Sequence, residues 1–423
     1  MLLALPFVAA ALSHNVPYAT NVPFDTPRDV HLCEHYYIGD PSECKAMRAQ
    51  VQARRRFSCP TLELGDPSRP PMLFFHGFPS SSALWANQFK HFCYGDNAPF
   101  FCIAPSWIDF HPDLPKEAPD PVFQAPNPMS DYVGFTHRWM TQVERFGTLV
   151  EEMHLSNITL VMHDFGSILG YIFAYKYSSR VRAVVSFDIG LGMGPLPGWT
   201  EKVKDMSEYQ QVNVNSYLTH NDSMLQIYIA GDRCTPCGLC QVAPGQPSPG
   251  PGHLTAWPYT NFLMTPHDKG ITRLAPNLSL RQWQHHFIPF WPDHIPIYLI
   301  YAECNEEGFF DQCTKNARYW ETCTDPPKGL HSDAFLDWLD ARRDGSSYDS
   351  VRMGHWIPCR GDVNATNAKV DAWLHSINRV RSRHSRKRTH QASNVLTASD
   401  DPRGEEEAIV EEGEEQEATR SVD

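Results

Sequence analysis

Short apolar runs alternate with helical stretches from Phe57 onward. The predicted strands are Met72–His76, Phe101–Ala104, Ile158–His163, Val181–Asp188, Ile297–Ala302 and Asp349–Met353. Most are apolar throughout rather than alternating, which predicts a sheet covered on both faces. The helices between or after them are Trp85–Phe92, Arg138–Met153, Ser167–Tyr177, Cys313–Thr322 and Val363–Ile377. Strand–helix alternation of this kind predicts an α/β fold, mostly parallel, with helices on both faces. Residues 14–57 read as an N-terminal arm with a short helix around Lys45–Arg56.

Two regions break the alternation. Residues 105–134 are rich in Pro and Asp and read as a long loop. Residues 190–293 carry Gly/Pro clusters, a polar helix around Glu208–Leu218, and aromatics. An insertion there sits over the carboxyl ends of the strands, where such sheets bind ligands. It is therefore expected to be a lid between a first core part, 58–189, and a second, 294–378.

Composition refines this picture. The formal charge is −13, but residues 400–423 alone carry −9, leaving −4 for residues 1–399. That body has no electrostatic footprint for nucleic acid. Residues 379–423, basic and then acidic, read as a disordered tail whose partner, if any, is not legible. The first 13 residues, MLLALPFVAAALS, resemble a secretory signal peptide without its basic start. They are too short to span a bilayer, and no later run is long enough. The 12 cysteines and the sequons at Asn157, Asn221, Asn277 and Asn364 favour an oxidising, secreted or lumenal setting. Cys234, Cys237 and Cys240 form a C-x-x-C-x-x-C cluster with His253 as the next metal-ligand type. In that setting disulfides pinning a loop are favoured over a metal, and neither metal nor cofactor is expected.

Three motifs carry the chemistry, in fold order. After the first predicted strand comes His76-Gly77-Phe78-Pro79, a sharp turn whose backbone N–H can face a developing oxyanion. After a central strand comes Met162-His163-Asp164-Phe165-Gly166-Ser167, with a carboxylate at the nucleophile position of a strand–turn–helix elbow. Met162 stands where a small residue is usual. Taken alone, Asp164 equally suits a helix cap. After the last strand, Gly354-His355-Trp356 offers a base.

With LELGDPSRPPMLFFHGFPSSSALW, LVMHDFGS and GHW, the chain resembles the epoxide hydrolase and haloalkane dehalogenase branch of the α/β-hydrolases, over roughly Phe57 to Asn378. The resemblance implies that Asp164 attacks an electrophilic carbon and that His355 activates water against the resulting ester. It implies that the N–H groups of Phe78 and Phe165 hold the oxyanion. The acid behind His355 is open between Glu306 and Asp188, since Asn305 stands at the usual place; loss of that acid is a third option. Phe78 and Phe165 lack the side-chain donors that dehalogenases use for halide, and HGFP looks like an epoxide hydrolase. Tyr209 and Tyr259 are then candidate proton donors to an opening epoxide, while Gln284 stands where a second tyrosine is expected, beside His285. The expected partner is a small apolar substrate under the lid. A dehalogenase-type hydrolase and a non-catalytic binding protein of the same fold are the alternatives.

Overall fold

The structure, a computed structural model, describes residues 37–55, 59–78, 80–107, 139–191, 213–217, 219, 221, 257, 291–303, 333–359 and 361–379. Eight strands form one sheet in the order β1-β2-β4-β3-β5-β6-β7-β8. They are β1 (Gln52–Arg55), β2 (Pro60–Leu64), β3 (Pro71–Phe75), β4 (Phe101–Pro105), β5 (Ile158–His163), β6 (Val181–Phe187), β7 (Ile297–Ala302) and β8 (Ser347–Val351). The β1–β2 and β2–β4 pairs are antiparallel; every other pair is parallel.

Alternation along each inner strand feeds two cores. Leu73, Phe75, Leu160, Met162 and Val184 face one layer. It is covered by α3 (Trp139–Glu152) and α4 (Phe165–Lys176), through Phe146, Leu149, Leu169 and Phe173. Met72, Phe74, Val161, Ala183 and Val185 face the other. There α2 (Ala86–Phe92) and a last helix, 363–379, contribute Phe89, Val370 and Leu374. A period of two with both faces buried explains why these strands read as unbroken apolar runs.

Three expectations need correction. The helix expected over Lys45–Arg56 is α1 (Pro41–Arg48), opened by Asp40, whose carboxylate accepts from Ser42 N–H. Residues 52–55, inside the stretch read as an arm, are instead strand β1 of the sheet. A further helix, α5 (Asp333–Ala341), precedes β8, which begins two residues earlier than expected. The proposed helix Cys313–Thr322, the Cys234–Cys240 cluster and residues 380–423 lie outside the described residues. Among the described residues no helix is long and apolar enough to cross a membrane.

β4 and β5 lie on opposite sides of β3, so successive connections leave β3 in opposite directions. Such a reversal opens a crevice at the carboxyl ends of the strands. Phe78 follows β3 and Asp164 follows β5, on its two flanks.

Candidate active site

The elbow follows from close packing. A Cβ placed on Gly166 would lie 2.2 Å from the Phe75 carbonyl oxygen and 2.4 Å from that of His76, both backbone atoms. Only glycine allows α4 to start this near β3. Asp164 takes φ 55° and ψ −132°, a sparsely populated conformation for a residue with a side chain. Its side chain makes no capping bond to α4. The helix-cap reading of Asp164 is thereby excluded. Its Oδ1 instead accepts the Phe78 N–H at 2.7 Å, and the Phe165 N–H nearby favours the ionised carboxylate.

Met162, too large for the usual elbow, is fully buried, and room for it comes from α4. A Cβ on Gly170 would lie 2.1 Å from its Sδ. The thioether occupies the space that a side chain at 170 would need.

His355 follows β8 and is 1% exposed, beside Asp188 at 0% and Asp164 at 8%. Its Nε2 lies 3.2 Å from Asp164 Oδ2 and its Nδ1 lies 2.5 Å from Asp188 Oδ2. Asp188 follows β6 with φ 71°, and its other oxygen accepts the Ala302 N–H of β7 at 2.9 Å. Residues from the ends of three parallel strands thus form one line, Asp164–His355–Asp188. Glu306, the other acid considered, lies outside the described residues, as do Asn305, Tyr209, Tyr259, Gln284 and His285.

The electrostatics follow from this line. Burial alone lowers a histidine's pKa. At His355 hydrogen bonds to Asp164 and Asp188, and their charges, outweigh it and raise the pKa to about 9. Burial works against ionisation of Asp164, yet the hydrogen bond and charge of His355 leave its pKa lowered. At neutral pH these directions favour an ionised Asp164 facing an imidazolium at His355.

Two buried histidines flank the line. His76 accepts the Trp107 N–H on Nε2 at 3.3 Å, and burial lowers its pKa to about 3. His163 lies 2.8 Å, through Nε2, from the His355 carbonyl oxygen, and burial followed by the His355 charge lowers it to about 4.

Over the elbow sits an aromatic cluster. Trp139 meets the Phe165 ring edge-on at 5.3 Å and contacts Trp107 and Trp257 at 6.2 and 5.9 Å. Leu191, Val214, Tyr217, Trp257 and Trp291, the described buried apolar residues of 190–293, belong to the same apolar cluster as Phe78, Phe165 and Ile189. The indole N–H of Trp139 is fully buried and has no acceptor among the described residues. Sequence reasoning passed over Trp139 and His163. A tryptophan opening a helix and a histidine ending a strand each read as ordinary core.

A family model described as alpha/beta hydrolase fold matches residues 70–221. A haloalkane dehalogenase of Mesorhizobium japonicum is 30% identical over 115 residues, which is 27% of this chain and 30% of that protein. The match therefore spans under a third of that relative's length. Among solved structures, haloalkane dehalogenase DbeA from Bradyrhizobium elkani and its M1 loop variant superpose with TM-scores of 0.50 and 0.52. Each is 15% identical, with 78% and 79% of this chain and 99% of either structure covered. At that identity the likeness is one of fold. With the parallel sheet and the elbow, the chain has the α/β-hydrolase fold, and over part of its length it is similar to haloalkane dehalogenases.

Proposed function

We propose that this protein is an epoxide-hydrolase-like enzyme that works through a covalent ester on Asp164. The observation that carries the reading is the line Asp164–His355–Asp188, with the Phe78 N–H 2.7 Å from Asp164 Oδ1.

Oδ2 is the attacking oxygen, since Oδ1 is already held. It bonds to a ring carbon of the epoxide as that carbon's C–O bond breaks, and the released oxygen takes a proton from a donor. Asp164 then carries no charge. One of the two influences raising the His355 pKa is lost, burial pushes the imidazole toward its neutral form, and its proton returns to the donor spent in ring opening. His355 next takes a proton from water, and the hydroxide adds to the ester carbonyl. The N–H groups of Phe78 and Phe165 receive the oxyanion. Collapse releases the diol, whose leaving oxygen takes the remaining proton of the added hydroxide, and restores the carboxylate beside a His355 that is again protonated. Asp188 orients His355 and balances its charge throughout.

Residues 190–293 are the proposed lid, with Tyr209 and Tyr259 as donors to the epoxide oxygen. In support, Val214, Tyr217 and Trp257, close to them in sequence, are buried in the cluster that holds Phe165. Trp139 adds an unpartnered N–H at the same place. That donor also suits a departing halide, which favours dehalogenation as the second reading. A panel of epoxides and haloalkanes separates the two. The binding-protein alternative loses support: Met162 is accommodated by Gly170, and Asp188 stands behind His355.

The chain is further proposed to pass through the secretory route. Cys93 and Cys102 form a disulfide, Cys44 and Cys359 are also disulfide-bonded, and Asn157, Asn221 and Asn364 are exposed.

The test is a single turnover in heavy-oxygen water with enzyme in excess. One label should enter the Asp164 carboxylate, because water attacks the ester carbonyl. Label in the product alone would mean direct attack of water on the substrate and would end the covalent reading.

A further inference from the structure

His163 takes no part in the reaction above, yet it touches the proposed base. A carbonyl oxygen only accepts, so the 2.8 Å contact to His355 O fixes the proton of His163 on Nε2. The two imidazole rings lie 4.5 Å apart, and the His163 ring lies 5.3 Å from that of Trp356. The His355 carbonyl also accepts the Ile357 N–H at 2.9 Å, a bond within its own loop. The bond from His163 is of another kind, because it ties that loop to β5. Strand β5 ends at His163 and is followed by Asp164.

We infer that His163 is a positioning residue, a strut on β5 that sets where His355 stands relative to Asp164. One strand end then carries the nucleophile and the support of its partner, so the two move together. Packing alone does not require a histidine here, since an aliphatic side chain would fill a fully buried position without a polar atom to satisfy. Nδ1 of His163 is buried with no hydrogen-bond partner among the described residues. An unmet acceptor is costly, and the bond from Nε2 to the His355 carbonyl is the feature that compensates. The inference rests on the proposed reaction for its catalytic consequence, but the strut itself is a property of the resting protein.

Two readouts test it on the full chain. The first is the proton resonance of His355 Nδ1–H against Asp188, followed by NMR in resting protein. The second is the rate at which an Asp164 ester is hydrolysed, followed by mass. His163→Leu removes the donor; His163→Gln places an amide N–H near the same reach. In His163→Leu the resonance should broaden through faster exchange. The ester should form at the wild-type rate but hydrolyse about 10–100-fold more slowly, as expected for a misplaced base. His163→Gln should restore both. An unchanged resonance and hydrolysis rate in His163→Leu would overturn the strut. So would equal losses in the Leu and Gln variants at matched unfolding midpoints, which would make the role one of packing. If wild-type protein forms no ester, the proposed reaction fails, and the NMR comparison still decides for or against the strut.

Discussion

Nδ1 of His355 lies 2.5 Å from Oδ2 of Asp188, across 167 residues of sequence. Both groups are fully enclosed, so the contact is shielded from water and salt. Asp188 also accepts from the Ala302 N–H, which fixes its carboxylate against β7. Asp188→Asn keeps the shape and removes the charge that helps hold His355 protonated. The variant should form the Asp164 ester normally and hydrolyse it about 10²–10⁴-fold more slowly, the range for loss of acid–base function. Rapid-quench mass analysis checks this. Wild-type turnover in Asp188→Asn would remove Asp188 from the mechanism.

The three buried histidines give stability a defined pH optimum. His76 and His163 bind protons more weakly folded, at about 3 and about 4, than unfolded, near 6.5. The stability they contribute is present above about pH 6.5 and is lost as pH falls toward their folded values. His355 has the opposite sign. Its folded value is about 9, so its contribution is complete below about pH 6.5 and is lost as pH rises through 9. Stability should peak near pH 6.5. It should fall at up to ~1.4 kcal/mol per pH unit per proton, two protons on the acid side and one on the alkaline side. Urea unfolding from pH 4.5 to 9.5 measures it. His355→Gln should flatten the alkaline limb, and an unaltered limb in that variant would refute the assignment.

Trp139 offers a further test of what leaves the substrate. Trp139→Phe keeps an aromatic ring against Phe165 and deletes the buried N–H. If that N–H receives the departing atom, kcat/KM should fall about 10–100-fold, as for a hydrogen bond to a charged group. Folding stability should hold or rise slightly, because no partner is left behind. Full activity across epoxides and haloalkanes would leave Trp139 as packing.

The sequence showed β3 to β7 because their residues are buried on both faces and read as apolar runs. It hid β1, Gln52-Ala53-Arg54-Arg55, which lies at the sheet edge with Gln52 and Arg54 exposed. β8, at the other edge and half-buried, was placed two residues late for the same reason. The Asp164 turn was legible because it is local: strand, small residues, helix. The choice between Asp188 and Glu306 was not, since it depends on which loop bends back toward β8, a relation between distant segments. The tolerance of Met162 was equally hidden, because it is set by a glycine on the next helix.

That compensation is itself testable. Met162 Sδ occupies the position a side chain at 170 would take, with Phe75 Cδ2 3.3 Å from the same point. Gly170→Ala gains about 1 kcal/mol of helix propensity but must push a buried thioether against the sheet, an overpacking that costs about 1–3 kcal/mol. Met162→Ala empties the space and should cost about 2–5 kcal/mol. In the double variant the new methyl enters the vacated volume, so the two losses should not add. The coupling should be about 0.5–3 kcal/mol, as for residues in contact. Equilibrium unfolding of the four proteins closes the cycle. Strict additivity would mean that Met162 is accommodated by the strand rather than by Gly170, and that the elbow tolerates its large residue for another reason.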